Sequence, residues 1–191
     1  LATCAEALAT KASGENALAG GLPTIAGTAI AKACEETLFR DGLSAFADVQ
    51  KGLVTPAVEA IVEANTLLSG LGFENGGLAA AHAIHNGFTA IKGEVHRLTH
   101  GEIVGFCLLV QLVLEERPYE EFQKYSRFLA AIGMPTTLAE MHLTGATREE
   151  LVKVGKLAVS QSNTMKNLNK KITAEQVADA ILAVDGLVGK E

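Results

Sequence analysis

Gly101-Glu102-Ile103-Val104-Gly105-Phe106-Cys107-Leu108-Leu109-Val110-Gln111-Leu112-Val113-Leu114-Glu115-Glu116 is apolar on nearly every side. A helix that is hydrophobic all round has no face to offer to water, so this one belongs at the centre of a core. Around it, alanine, leucine and glutamate dominate, and apolar residues recur three and four positions apart. Runs of alternating β-branched residues are missing, and this pattern predicts an all-α domain, a multi-helix bundle.

Start signals place the neighbouring helices. Thr55-Pro56 sets a capping residue ahead of a first-turn proline and predicts a helix over Ala57 to Leu68, with Val58, Ile61, Val62 and Leu68 on one face and an end near Ser69-Gly70. Thr147 with Glu150 and Thr173 with Gln176 have the spacing of capping boxes and predict helices through Leu157 and Val184. Pro118 is expected to open a helix over Tyr119 to Ile132 that Gly133 and Pro135 stop. In the glycine-interrupted first third, a helix is expected from about Thr24 to Phe39. Leu1 to Ala9 reads as the middle of a helix with no cap and no initiating Met, and is expected to be a cut end.

A chain of 191 residues with 48% hydrophobic content suffices for one sizeable core, so a single domain over 1–191 is expected. The net charge of -6, without a basic stripe, argues against nucleic acid or an anionic membrane as partner. No stretch has the length of a membrane span, and the opening residues lack the basic flank of a signal peptide. Cys4, Cys34 and Cys107 are odd in number and far apart, which fits reduced, buried thiols in a cytoplasmic protein better than a disulfide framework.

Four of the five histidines, His82, His85, His96 and His100, cluster between Gly76 and Glu102. On a helix starting near Gly77, His82 and His85 lie on neighbouring faces beside small alanines that permit close approach of a backbone or ligand. Imidazole is the commonest side-chain ligand of transition metals, and a catalytic zinc takes three protein ligands with one position left open. Hydrogen-bonded packing of the same histidines is the other reading, and spacing leaves both open. The glycine-rich run Ser69 to Gly77 holds no GxGxxG and follows no strand, so it is read as a tight turn between helices, not a dinucleotide fingerprint.

The run Gly70-Leu71-Gly72-Phe73-Glu74-Asn75-Gly76-Gly77-Leu78-Ala79-Ala80-Ala81-His82-Ala83-Ile84-His85-Asn86-Gly87, followed by His100-Gly101-Glu102, resembles the signature of the glycerol dehydrogenases. These belong to the iron-containing alcohol dehydrogenase superfamily and are related to dehydroquinate synthase. The likeness continues through Thr55-Pro56, Val110 to Glu115 and Thr173 to Asp185, which spans nearly the whole chain.

The resemblance implies the C-terminal helical domain of that fold. It implies a zinc site whose histidine ligands map onto His82 and His100, with a third ligand, an aspartate, expected upstream of Leu1. It implies Phe73 as an apolar wall of the substrate cleft and His85 as a substrate-binding or supporting residue. His96 is expected at the surface or behind the ligands, and His142 is expected to be ordinary. Thr3 stands where iron-dependent relatives carry a further histidine, which favours the zinc branch. NAD is expected on a Rossmann-like half outside this chain, which has no cofactor-binding residue of its own. The implied reaction oxidises glycerol to dihydroxyacetone in a homo-oligomer, commonly an octamer. On this reading the chain alone is inactive. The alternatives are a related polyol or glycerol-phosphate dehydrogenase, or a helical oligomerisation module with a weakened metal site.

Overall fold

A computed structural model describes residues 1–160 and 164–189. Among the described residues every regular element is helical and no strand occurs, as the residue pattern predicts. The chain divides into two compact units, Leu1–Leu78 and Ala79–Glu191.

The first unit holds four α-helices. Helix α1 (Ala2–Ser13) ends where Gly14 adopts φ +74, a left-handed conformation open to glycine. Helix α2 (Ile25–Val49) is capped by Thr24, whose hydroxyl accepts from the Gly27 N–H at 2.9 Å. It runs ten residues past the expected stop at Phe39, because Gly42 is tolerated within the helix and the chain turns only at Gly52, φ +69. Helix α3 (Pro56–Glu63) is capped by Thr55 as predicted. It buries no residue, and Val62, expected on a shared inner face, is 50% exposed.

The glycine-rich run differs from its reading as a turn. A π-helical turn (Ala64–Leu68) leads directly into α4 (Ser69–Gly76), and the chain reverses only at Gly77, φ +93. The glycines serve packing: a Cβ on Gly72 would lie 2.9 Å from Thr3 Cγ2 and 3.2 Å from the Ala31 Cα, and one on Gly76 would strike Ala7. Helix α4 therefore lies close against α1 and α2, over a core of Cys4, Ala7 and Ala31.

The second unit is built on α6 (His100–Leu114), in which Phe106, Cys107, Leu108, Leu109 and Val110 are all completely buried. Around it pack α5 (Ala80–Gly87), α7 (Tyr119–Ala131) and α9 (Ala174–Val188), with α8 (Arg148–Ala158) joining α5 to α9. The expected capping boxes form at Thr147 with Glu150 and at Thr173 with Gln176. A third, Thr99 with Glu102, opens α6. Short 3-10 turns occupy Phe88–Ala90, Glu94–Arg97 and Thr164–Asn167. Cys4, Cys34 and Cys107 are buried, and none of them is in a disulfide. No helix among the described residues is long and apolar enough to cross a membrane.

Candidate functional site

Two short helical starts position the histidines of the second unit. Helix α5 begins at Ala80, later than the Gly77 expected from sequence, and carries His82 and His85 beside the buried Ala81, Ala83 and Ile84. Its Ala79 N-cap has no side chain to offer the first N–H groups. The Ala81 N–H instead donates to Gln111 Oε1 on α6 at 2.9 Å, and Thr164 Oγ1 donates to the Ala79 carbonyl at 2.6 Å. Helix α6 begins at His100, and the reciprocal Thr99–Glu102 cap anchors that first residue.

The ring centroids of His82 and His100 lie 5.5 Å apart with a 45° tilt. Those of His85 and His100 lie 4.4 Å apart, edge to face. His85 Nε2 is 3.2 Å from His100 Nδ1, and His85 Nδ1 is 3.3 Å from Asn86 Oδ1. These contacts select a set of tautomers. Asn86 Oδ1 can only accept, so His85 carries its proton on Nδ1 and its Nε2 is the acceptor. His100 then donates through Nδ1, which leaves its Nε2 as the nitrogen free to face a ligand. Burial lowers the His85 pKa and the neighbouring His100 and His82 add to that, while the Asn86 hydrogen bond opposes them; the net shift is downward and favours the neutral ring.

Two imidazoles sharing a tetrahedral zinc at ~2.0–2.1 Å have ring centres about 5 Å apart, so the His82–His100 spacing suits a shared metal ion. The described residues hold no group of three or more His, Cys, Asp or Glu that could enclose an ion. His96 is exposed and its Nε2 lies 2.8 Å from the Ile91 carbonyl, which ties it to the surface turn. His142 is also exposed, in the segment before α8. Phe73 is half-buried on α4 of the first unit. Thr3 is buried there, with its hydroxyl 3.1 Å from Ser69 Oγ. Gln111 and Thr164 were not singled out from sequence. A glutamine in an otherwise apolar helix was the one visible sign of the first.

No protein-family model matches the chain. It is 50% identical over 185 residues to glycerol dehydrogenase 1 of Schizosaccharomyces pombe, a match covering 97% of this chain and 41% of that protein. It is 44% identical over 191 residues to the glycerol dehydrogenase of Citrobacter freundii, covering 100% and 52% respectively. The crystal structure of glycerol dehydrogenase from Schizosaccharomyces pombe superposes with a TM-score of 0.97 at 49% identity, over 100% of this chain and 49% of that one. The chain thus spans about half the length of the curated relatives it matches. On sequence and fold together, the chain belongs to the glycerol dehydrogenase family and corresponds to its C-terminal, helical part.

Proposed function

We propose that this chain is the metal- and substrate-binding part of an NAD-dependent, zinc-dependent glycerol dehydrogenase that oxidises glycerol to dihydroxyacetone. The observation that carries the reading is the meeting of His82 and His85 on α5 with His100 at the start of α6, in a chain whose relatives bear the name glycerol dehydrogenase.

His82 and His100 would hold zinc, which supplies Lewis acidity toward a polyol hydroxyl when bound. The chain's own contribution is orientation. His85 accepts from His100 Nδ1, so the His100 ring keeps Nε2 unprotonated and in one plane. Asn86 fixes the tautomer of His85 in turn. Phe73 is assigned to the apolar wall of the substrate cleft. The third metal ligand, an aspartate, and the nucleotide-binding residues are assigned to parts of the enzyme outside this chain, and the 191 residues alone are expected to be inactive.

A second reading concerns assembly, and concentrates on the first unit. Leu22, Ile25 and Val54 are 64%, 84% and 74% exposed, apolar side chains that an oligomer contact would cover. It assigns this unit a share in a homo-oligomer, an octamer by family. A cytoplasmic setting accords with three buried cysteines held as thiols.

The test compares zinc content and glycerol-dependent NAD reduction for the full-length enzyme and for the 191-residue chain, with light scattering on both. Zinc and turnover in the full-length enzyme alone support the reading. A full-length enzyme that reduces NAD with a different polyol and not with glycerol moves the substrate to a sibling chemistry. Turnover by the short chain alone overturns the placement of cofactor and third ligand, and monomers throughout defeat the assembly reading.

A further inference from the structure

Gln111 is completely buried in α6, where every neighbour along the helix from Ile103 to Leu112 is buried as well. Placing a primary amide there is unfavourable unless both its ends are satisfied, and they are. Oε1 accepts from the Ala81 N–H at 2.9 Å, and Nε2 donates to Glu115 Oε1 at 3.1 Å. Glu115 is itself held by Arg117 Nε at 2.8 Å. A carboxylate only accepts, so Glu115 forces the amide nitrogen toward itself and leaves the amide oxygen for Ala81. Arg117, Glu115 and Gln111 therefore form a chain in which each member fixes the orientation of the next.

The recipient of that chain is one residue from His82. The Ala81 N–H is among the first N–H groups of α5, which have no partner within the helix, and the Ala79 N-cap supplies none. Gln111 caps α5 from the neighbouring helix, three turns along α6 from His100. Thr164 holds the same start through the Ala79 carbonyl. A shift of α5 along α6 by one residue would break the Ala81 bond and would move His82 relative to His100.

Resting on the zinc reading above, we propose that Gln111 is a positioning residue that sets the register of α5 on α6 and thereby the spacing of the His82 and His100 rings. Its cost to the core is balanced by satisfaction of a helix end, and its effect is felt at the histidines.

The test uses Gln111→Met in the full-length enzyme, a change that keeps the length and shape of the side chain and removes both hydrogen bonds. Three readouts are taken: zinc affinity by chelator competition, the visible spectrum of the cobalt-substituted protein, and the imidazole resonances of metal-free, histidine-labelled protein. Zinc affinity is expected to fall about 10–100-fold, the usual penalty for losing a supporting partner of a ligand, with an altered cobalt spectrum and a cooperative melt retained. Unchanged affinity, cobalt spectrum and resonances in a folded Gln111→Met protein overturn the proposal. Should that variant fail to fold, Glu115→Ala releases Gln111 from one side only and is expected to show a smaller change of the same sign; no change there also overturns it. A wild type that binds no zinc would defeat the zinc reading by itself, and the metal-free resonances would still decide whether Gln111 places the rings.

Discussion

His100 Nδ1 donates to His85 Nε2 across 3.2 Å, joining the first residue of α6 to the last turn of α5. Under the proposed zinc reading, that bond gives three histidines of the same type different roles: His85 orients, while His82 and His100, with ring centroids 5.5 Å apart, are the ligand pair.

The roles predict different losses on substitution. His82→Ala and His100→Ala in the full-length enzyme are expected to abolish tight zinc binding, because each removes a donor. His85→Ala removes only the partner that orients one donor, and its zinc affinity is expected to fall about 10–100-fold. Equal losses for all three in chelator competition would mean that His85 also ligates.

Close helix contacts predict where added volume is not tolerated. A Cβ on Gly87 would sit 2.5 Å from the Val154 carbonyl oxygen, and one on Gly155 would strike the backbone of Ala174. Backbone atoms cannot rotate away as a side-chain tip can, so Gly87→Ala and Gly155→Ala are each expected to destabilise by about 1–3 kcal/mol. Gly101→Ala meets nothing within 4 Å and serves as the control. Urea unfolding of the three variants checks this, and a tolerated Gly155→Ala would contradict the α8–α9 packing.

Acid sensitivity is predicted at the segment after α7. Desolvation pushes the Glu140 carboxyl up, yet hydrogen bonds from the backbone and hydroxyls of Thr136 and Thr137 together outweigh it and hold the pKa below its ordinary value of 4.5. A carboxylate depressed in the folded state stabilises that state above the ordinary value, and the contribution disappears as pH falls through the depressed value. Glu140→Gln is therefore expected to lower stability near neutral pH and to flatten the acid limb of the stability profile. Denaturant midpoints followed from neutral pH into the acid range measure both, and parallel profiles would remove Glu140 from that limb.

Much of the fold was legible because its signals are local. Thr147, Thr173 and Thr55 cap helices through contacts three residues away, and Pro118 stands at the N-cap of another. The Thr99–Glu102 box has the same spacing and went unread behind the histidine next to it. Glycine misled the reading between Ser69 and Gly77, since Gly72 and Gly76 are there to admit α1 and α2, a reason located in other segments.

The same division runs through the candidate site. Residue order alone settled that the chain is helical, that α6 is its apolar centre, and that the histidines crowd into one region with a family signature. Each of these follows from periodicity, capping or adjacency along the chain. Which histidine bonds which, and that Gln111 reaches from α6 to the start of α5, were decided only in three dimensions. Hydrogen bonds between residues 15 and 30 positions apart depend on how two helices are set side by side, and helical periodicity specifies a face without specifying the register at which that face meets its neighbour.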